Sequence, residues 1–255
     1  MKQQILGLST NYIHTQGEKG TVLFLHGWGA PISLYQCIFD KLTAMGYGIA
    51  AFDMPGVGDT EEPKAPLTLQ DYIDFTLSFC RAEGLEEVIL MCHSHGGRIA
   101  LSMLGDPGCP VKCRKAVLID ATGAPTKKSF KARASLRLYK AARILGTAKL
   151  TRPLFGPLYE ELREKRSSAD YKAASPVMRK TMSNVLPCDL TPVMPDITAQ
   201  VLLIWGERDT ATPLSEARVM ESRIPGSGLA VIRGAGHFSF ADNWSQFSAV
   251  LDAFL

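Results

Sequence analysis

Residues 88–101 read Val88-Ile89-Leu90-Met91-Cys92-His93-Ser94-His95-Gly96-Gly97-Arg98-Ile99-Ala100-Leu101. A short apolar run feeds directly into a small-x-Ser-x-Gly turn, and a helix-like stretch follows it. A serine on so sharp a strand-to-helix turn is held in a strained backbone conformation that projects its hydroxyl above a sheet. Backbones approach closely there, so only small side chains fit two positions either side of Ser94. Gly96 meets that need, and Cys92 stands where glycine is usual. The N-terminal N–H groups of the following helix point at the same place and favour a developing oxyanion.

Similar apolar runs recur on both sides, at residues 22–25, 49–52, 117–119, 201–205 and 229–232. None alternates polar with apolar, which is the pattern of strands buried on both faces of a parallel sheet. Helical patterns lie between them. The clearest starts at Thr68, where Thr68 and Asp71 have capping-box spacing. Leu69, Tyr72, Ile73, Leu77 and Cys80 mark its expected apolar face, and Gly84 ends it. Such alternation predicts an α/β fold with a mostly parallel central sheet flanked by helices. The first twenty residues read as two short strands forming an antiparallel edge.

The alternation stops between about 124 and 197. In that stretch Phe130, Ala134, Leu138, Ala141 and Leu145 follow helical steps, and Ser175-Pro176 reads as an N-cap with proline at the first helical position. The expected division is therefore a core of 1–123 with 197–255 and a helical cap inserted at 124–196.

Three further segments place reactive groups just past strand ends. Residues 22–25 lead into His26-Gly27-Trp28-Gly29, 201–205 into Gly206-Glu207-Arg208-Asp209, and 229–232 into Gly234-Ala235-Gly236-His237-Phe238. Open α/β sheets bind ligands at the carboxyl ends of their strands, so these loops are expected to converge with the Ser94 turn. A serine hydroxyl is a weak nucleophile and needs a base, for which His237 is the candidate; Asp209 is the acid that would orient it. The N–H groups of Trp28 and His95 are the candidate oxyanion donors. Asp120, after the run ending at Ile119, is the alternative acid. Asp53 is expected to pin its own loop and Glu207 to serve a turn. His26 reads as a loop-fixing hydrogen-bonder, and His93 and His95 as packing groups whose side chains point away from the serine hydroxyl. His14 has no visible partner. Met178 and Met182, four apart, line either core or pocket.

HGWG at His26, FDMPGVGDT at Phe52, CHSHGG at Cys92, WGERDTATP at Trp205 and GAGHF at Gly234 together resemble the α/β-hydrolase superfamily, over essentially the whole chain. The order Ser, Asp, His along the chain is the superfamily's own. The resemblance implies a serine hydrolase acting on a small or medium carboxylic ester through an acyl-serine intermediate, with no cofactor and no metal. An alternative is a C–C bond hydrolase of a vinylogous diketone. The resemblance weakens that alternative, because the Asn and Trp expected near the elbow and after His237 are missing. A ligand-binding receptor on the same fold is a third reading, disfavoured by the complete Ser-His-Asp set. Relatives with an Asp nucleophile are disfavoured by Ser94.

Bulk properties add bounds. In 255 residues, 46% hydrophobic, there is ample material for one sizeable core. A net charge of +3 gives no case for nucleic acid. No stretch of ~18 apolar residues would span a membrane, and MKQQILGLST lacks the form of a signal peptide. The six cysteines are therefore expected to be free, buried thiols in a cytoplasmic protein; the C-x3-C pair Cys109 and Cys113 has no second ligand pair nearby. Modest charge conceals an asymmetry. Residues 124–182 carry 15 Lys and Arg against 4 Asp and Glu, a balance of +11, leaving −8 elsewhere. Arg133, Arg137 and Lys140 fall on one helix face. That face is either ordinary solvated surface or a device for attracting an anionic substrate or an anionic lipid surface.

Overall fold

The computed structural model describes residues 1–124, 130–148, 151–166 and 169–255, with the side chains of all of these except 130–134, 136, 163–166 and 169–170. Its strands are β1 (Lys2–Ile5), β2 (Leu8–His14), β3 (Thr21–Leu25), β4 (Gly48–Phe52), β5 (Glu87–His93), β6 (Lys112–Ile119), β7 (Gln200–Gly206) and β8 (Gly228–Ile232). Its helices are α1 (Gln36–Ala44), α2 (Leu69–Ala82), α3 (Gly96–Leu104), α4 (Phe130–Thr147), α5 (Arg152–Arg166), α6 (Ala169–Ala173), α7 (Pro176–Val185), α8 (Leu214–Arg223), α9 (Ser239–Asp242) and α10 (Trp244–Phe254).

The strands form one sheet in the order β1-β2-β4-β3-β5-β6-β7-β8. The hairpin β1–β2 adds to β4 antiparallel, and every pairing from β4 to β8 is parallel. Side chains on a strand alternate between its faces, and here both faces are covered. Leu90 and Cys92 of β5, Leu118 of β6 and Leu203 and Trp205 of β7 pack in one layer with Phe75, Phe79, Ile99 and Met220. Met91, Val117, Ile119 and Ile204 pack in the opposite layer with Ile38, Leu42, Phe247 and Leu251. That double burial is why the strands read as unbroken apolar runs.

Thr68 caps α2 as its spacing predicts, accepting from the Asp71 N–H while the Asp71 carboxylate accepts from the Thr68 N–H. The buried face is rotated from the expected one. Tyr72, Phe75, Thr76, Phe79 and Cys80 are buried, whereas Leu69, Ile73 and Leu77 border the core. The reason is aromatic packing: Phe75 and Phe79 close on Phe52 at 5.5 and 4.7 Å between ring centroids, and Tyr12 meets Phe79 at 5.7 Å.

The chain divides into two compact units, Met1–Pro125 with Pro176–Leu255, and Thr126–Ser175. Of the stretch expected as a cap, residues 176–196 pack with the sheet unit: Val185, Leu190 and Met194 join its core, and Thr181 and Asn184 bond the backbone of Leu67. In the second unit, α4 meets α5 through small residues. A Cβ on Gly146 would lie 2.5 Å from the Tyr159 Cβ, and Ala142 is buried. The apolar face expected for α4 is accordingly not its packing face, since Leu138 and Leu145 are exposed; the side chains of Phe130 and Ala134 lie outside the described residues. Among the described residues no helix is long and apolar enough to cross a membrane. All six cysteines are free thiols, but only Cys80 and Cys92 are buried as expected; Cys109, Cys113 and Cys188 are half-buried and Cys37 is exposed.

Candidate active site

The turn after β5 carries the strain its sequence announces. Ser94 has φ +48°, in the left-handed region that a side chain normally avoids. The neighbouring backbone fixes it there. Its N–H donates to the Ile119 carbonyl at 3.0 Å, and its carbonyl accepts from the N–H groups of Gly97 and Thr122 and from Thr122 Oγ1, each at 2.9 Å. Gly96 lies against β3 so closely that a Cβ would sit 2.1 Å from the Leu25 carbonyl oxygen. Cys92 fits the other small position because it is still a strand residue there, paired with Leu25 and Leu118 and fully buried.

His237 comes from the segment between β8 and α9. Its Nε2 is 2.9 Å from Ser94 Oγ and its Nδ1 is 2.8 Å from Asp209 Oδ2. Because a carboxylate only accepts, Nδ1 carries the proton and Nε2 is free to accept from the serine hydroxyl. Asp209 is held in turn. Oδ1 accepts from the N–H groups of Ala211 and Thr212 at 2.8 and 2.9 Å, and Oδ2 lies 2.6 Å from Thr212 Oγ1. Burial acts to raise the Asp209 pKa, but the bonds from His237 and Thr212 outweigh it and hold the carboxyl below its ordinary value. Thr212, 3.2 Å from His237 Nδ1, is a residue that sequence reading missed, although it lies inside the WGERDTATP motif.

The loop after β3 is anchored by His26. Its Nδ1–H donates to the Gly27 carbonyl at 2.6 Å and its Nε2 accepts from the Met54 N–H at 2.7 Å. Burial lowers its pKa, which keeps the ring neutral, as these two bonds require. Among the described residues neither the Trp28 nor the His95 N–H has a backbone or side-chain acceptor. The His95 ring itself is buried between Trp28 and Tyr72, at 5.3 and 5.1 Å, and burial pushes its pKa down to about 3.

Asp120 does not reach His237. It has φ +44°, is fully buried, and accepts from the Gly206 N–H at 2.7 Å and the Ser239 N–H at 3.1 Å. It thereby clamps the end of β7 to the segment that follows His237. Burial pushes its carboxyl up to about 7, against the hydrogen bonds from Ser239 and Gly206. Asp53 pins its loop by accepting from Ile32, Asn11 and Asp59, and Glu207 accepts from the Gly234 N–H. His14 does have a partner: its Nδ1 lies 2.6 Å from Glu83 Oε2, a contact between β2 and the end of α2 that separation in sequence concealed. Met178 and Met182 are buried, and Met178 packs on Gly56.

Comparison with known proteins adds the lineage. Residues 20–243 match the model of the alpha/beta hydrolase fold family. The chain belongs to the α/β-hydrolase family. It is similar to the pimeloyl-[acyl-carrier protein] methyl ester esterase of Aliivibrio salmonicida, 25% identical over 259 residues that cover 96% of this chain and 95% of that one. Among solved structures it is similar to an esterase from Exiguobacterium antarcticum, with a TM-score of 0.75 at 22% identity over 100% of this chain and 98% of the other. It is also similar to the 2-hydroxy-6-oxo-6-phenylhexa-2,4-dienoate hydrolase of a Rhodococcus species, with a TM-score of 0.70 at 18% identity and coverage of 100% and 98%. At such identities these two structures speak for the shared α/β-hydrolase fold alone.

Proposed function

We propose that this protein is a serine hydrolase that cleaves a small or medium carboxylic ester through an acyl-serine intermediate. The observation that carries the reading is the bridge His237 makes between Ser94 Oγ and Asp209, 2.9 Å on one side and 2.8 Å on the other. His237 Nε2 takes the Ser94 proton as Oγ attacks the ester carbonyl, and Asp209 stabilises the imidazolium that forms. The N–H groups of Trp28 and His95 receive the negative charge on the tetrahedral oxygen. As the intermediate collapses, His237 gives its proton to the departing alcohol and Ser94 is left acylated. Water then attacks the acyl carbonyl as His237 takes its proton; when the bond from the acyl carbon to Ser94 Oγ breaks, His237 returns that proton to Oγ and the acid leaves. No step calls for a metal or cofactor.

The helical unit Thr126–Ser175 is assigned to a cap, because the chain leaves the sheet unit after β6 and rejoins it before β7. Of the basic face expected at Arg133, Arg137 and Lys140, the Arg133 side chain lies outside the described residues, and the exposed Arg137 and Lys140, with Arg143, support a role in attracting an anionic ester or an anionic lipid surface.

The experiment is labelling by a fluorophosphonate, followed by turnover of aryl esters of graded chain length. The wild-type protein is expected to be labelled and to hydrolyse part of the series, whereas Ser94→Ala takes no label and, like His237→Ala, loses roughly 10⁶-fold in kcat. Absence of labelling would favour a receptor, and cleavage of a vinylogous diketone without any ester turnover would favour a C–C bond hydrolase.

A further inference from the structure

We propose that His93 is a positioning residue, which fixes the backbone of His237, and that Tyr35 sets its tautomer and ties both to the loop bearing Trp28. His93 ends β5, immediately before Ser94, and is 1% exposed. Its Nε2 lies 2.8 Å from the His237 carbonyl oxygen, its Nδ1 lies 2.9 Å from Tyr35 Oη, and Tyr35 Oη lies 3.0 Å from the Gly27 N–H. With a neutral His93 ring, only one assignment of protons satisfies all three contacts. A carbonyl accepts and never donates, so His93 Nε2 carries the hydrogen. In a neutral imidazole Nδ1 is then an acceptor, so the Tyr35 hydroxyl donates to it and uses a lone pair for the Gly27 N–H. The relay therefore runs in one direction, from the loop after β3 to the base.

Two independent observations show how tightly the parts are held. A Cβ on Gly27 would fall 2.8 Å from His93 Nδ1, 3.2 Å from Ser94 Cβ and 3.3 Å from Tyr35 Oη, so the loop backbone rests directly on the relay. His237 itself lies in a segment without helix or strand, and His93 is the one donor to its carbonyl among the described residues. Ser94 and Asp209 hold the tip of the His237 ring, and His93 holds its backbone. Burial pushes the His93 pKa down to about 3, which keeps the ring in the neutral form the relay needs.

The kinetic arm of the test rests on the hydrolase reading; the spectroscopic arm does not. Histidine tautomers are read from long-range proton–nitrogen NMR spectra of the wild-type protein and of Tyr35→Phe. The wild-type spectrum is expected to show His93 as the neutral Nε2–H form from pH 5.5 to 8, and Tyr35→Phe to shift its Nδ1 toward the position of an unbonded nitrogen. An Nδ1–H tautomer in the wild type, or no nitrogen shift in Tyr35→Phe, overturns the proposal whatever the protein hydrolyses. For turnover, His93→Asn keeps an acceptor for Tyr35 but loses the reach to His237, whereas His93→Gln carries an amide N–H to about the place of Nε2. His93→Asn is expected to lose roughly 100-fold in kcat with KM little changed, as for a small misplacement of a reacting group. His93→Gln should recover most of that loss at equal melting temperature. Equal losses in the two variants, or wild-type turnover in His93→Asn, would overturn the positioning role. A wild-type protein that takes no fluorophosphonate label would sink the hydrolase reading and leave the relay to be decided by the spectra.

Discussion

At the scale of single residues, two aspartates face the same region with opposite electrostatic histories. Asp209 gathers donors and stays ionised, whereas Asp120 is sunk between β6 and β7 with a carboxyl pushed up to about 7 by burial. This difference separates their roles experimentally. Asp209→Asn removes the acceptor that fixes the His237 tautomer and should lower kcat by roughly 10⁴-fold. Asp120→Asn should cost far less turnover, because its carboxyl contacts backbone N–H groups and not the imidazole. The reverse ranking would move the acid to Asp120. Stability should respond the other way. A carboxyl whose native pKa lies above its unfolded value binds its proton more tightly when folded. Its contribution is full below about pH 4 and is lost as pH rises through about 7. Chemical denaturation at pH 5 and pH 8 should therefore show the wild type losing, relative to Asp120→Asn, on the order of a few kcal/mol. Glu216, also raised to about 7 by burial, titrates in both proteins and cancels in the comparison. A pH-independent difference would mean that Asp120 is ionised throughout this range.

Among the elements, α2 offers the cleanest local test. Thr68 and Asp71 satisfy each other's N–H groups at its first turn, so Thr68→Ala should cost ~1 kcal/mol in stability and leave ester turnover unchanged. The Thr68 bonds hold the Asp71 pKa below its ordinary value, so this deficit should persist at pH 5 and shrink toward pH 3. A deficit that grows as pH falls would refute the capping account. The same helix shows where sequence is a good guide and where it fails. Its start was legible because a capping box is made by residues three apart, and the strands were legible because both faces of each are buried. The face α2 buries departs from the one its apolar spacing predicts, since Phe75 and Phe79 are drawn in by Phe52 from a distant strand. In α4 the apolar residues are not the packing residues, because Gly146 and Ala142 permit a closer approach than any leucine. The site follows the same rule. Ser94, Asp209 and His237 stand out by their places after strand ends, and the fold brings them within hydrogen-bond reach of one another, whereas the contacts of Thr212 and Tyr35 join partners that only the folded chain brings near.

For the molecule as a whole, the separation of charge is the property most open to a bulk measurement. Residues 124–182 carry +11 and the remainder −8. Raising salt from 0.1 M to 1 M shortens the Debye length from ~10 Å to ~3 Å. The kcat/KM of an anionic ester should then fall while that of a neutral ester holds steady, and Gln at Arg137, Lys140 and Arg143 should remove the difference. Identical salt responses would reduce the basic surface to ordinary solvation. The strand order has a consequence of another kind, for the chain as it is made. β6 is an interior strand, and the neighbour that covers its second edge is β7, which follows only after the whole helical unit. At ~5–20 residues per second, a ribosome takes several seconds to supply it. Through that interval a half-built parallel sheet presents an open, apolar edge, the kind of surface that other chains pair with. Ser94, 143 residues ahead of His237, waits longer still for its imidazole. The nascent protein is thus at its stickiest while it is still chemically silent. Translation stalled within the helical unit should yield insoluble chains, bound by chaperones, that take no active-site label.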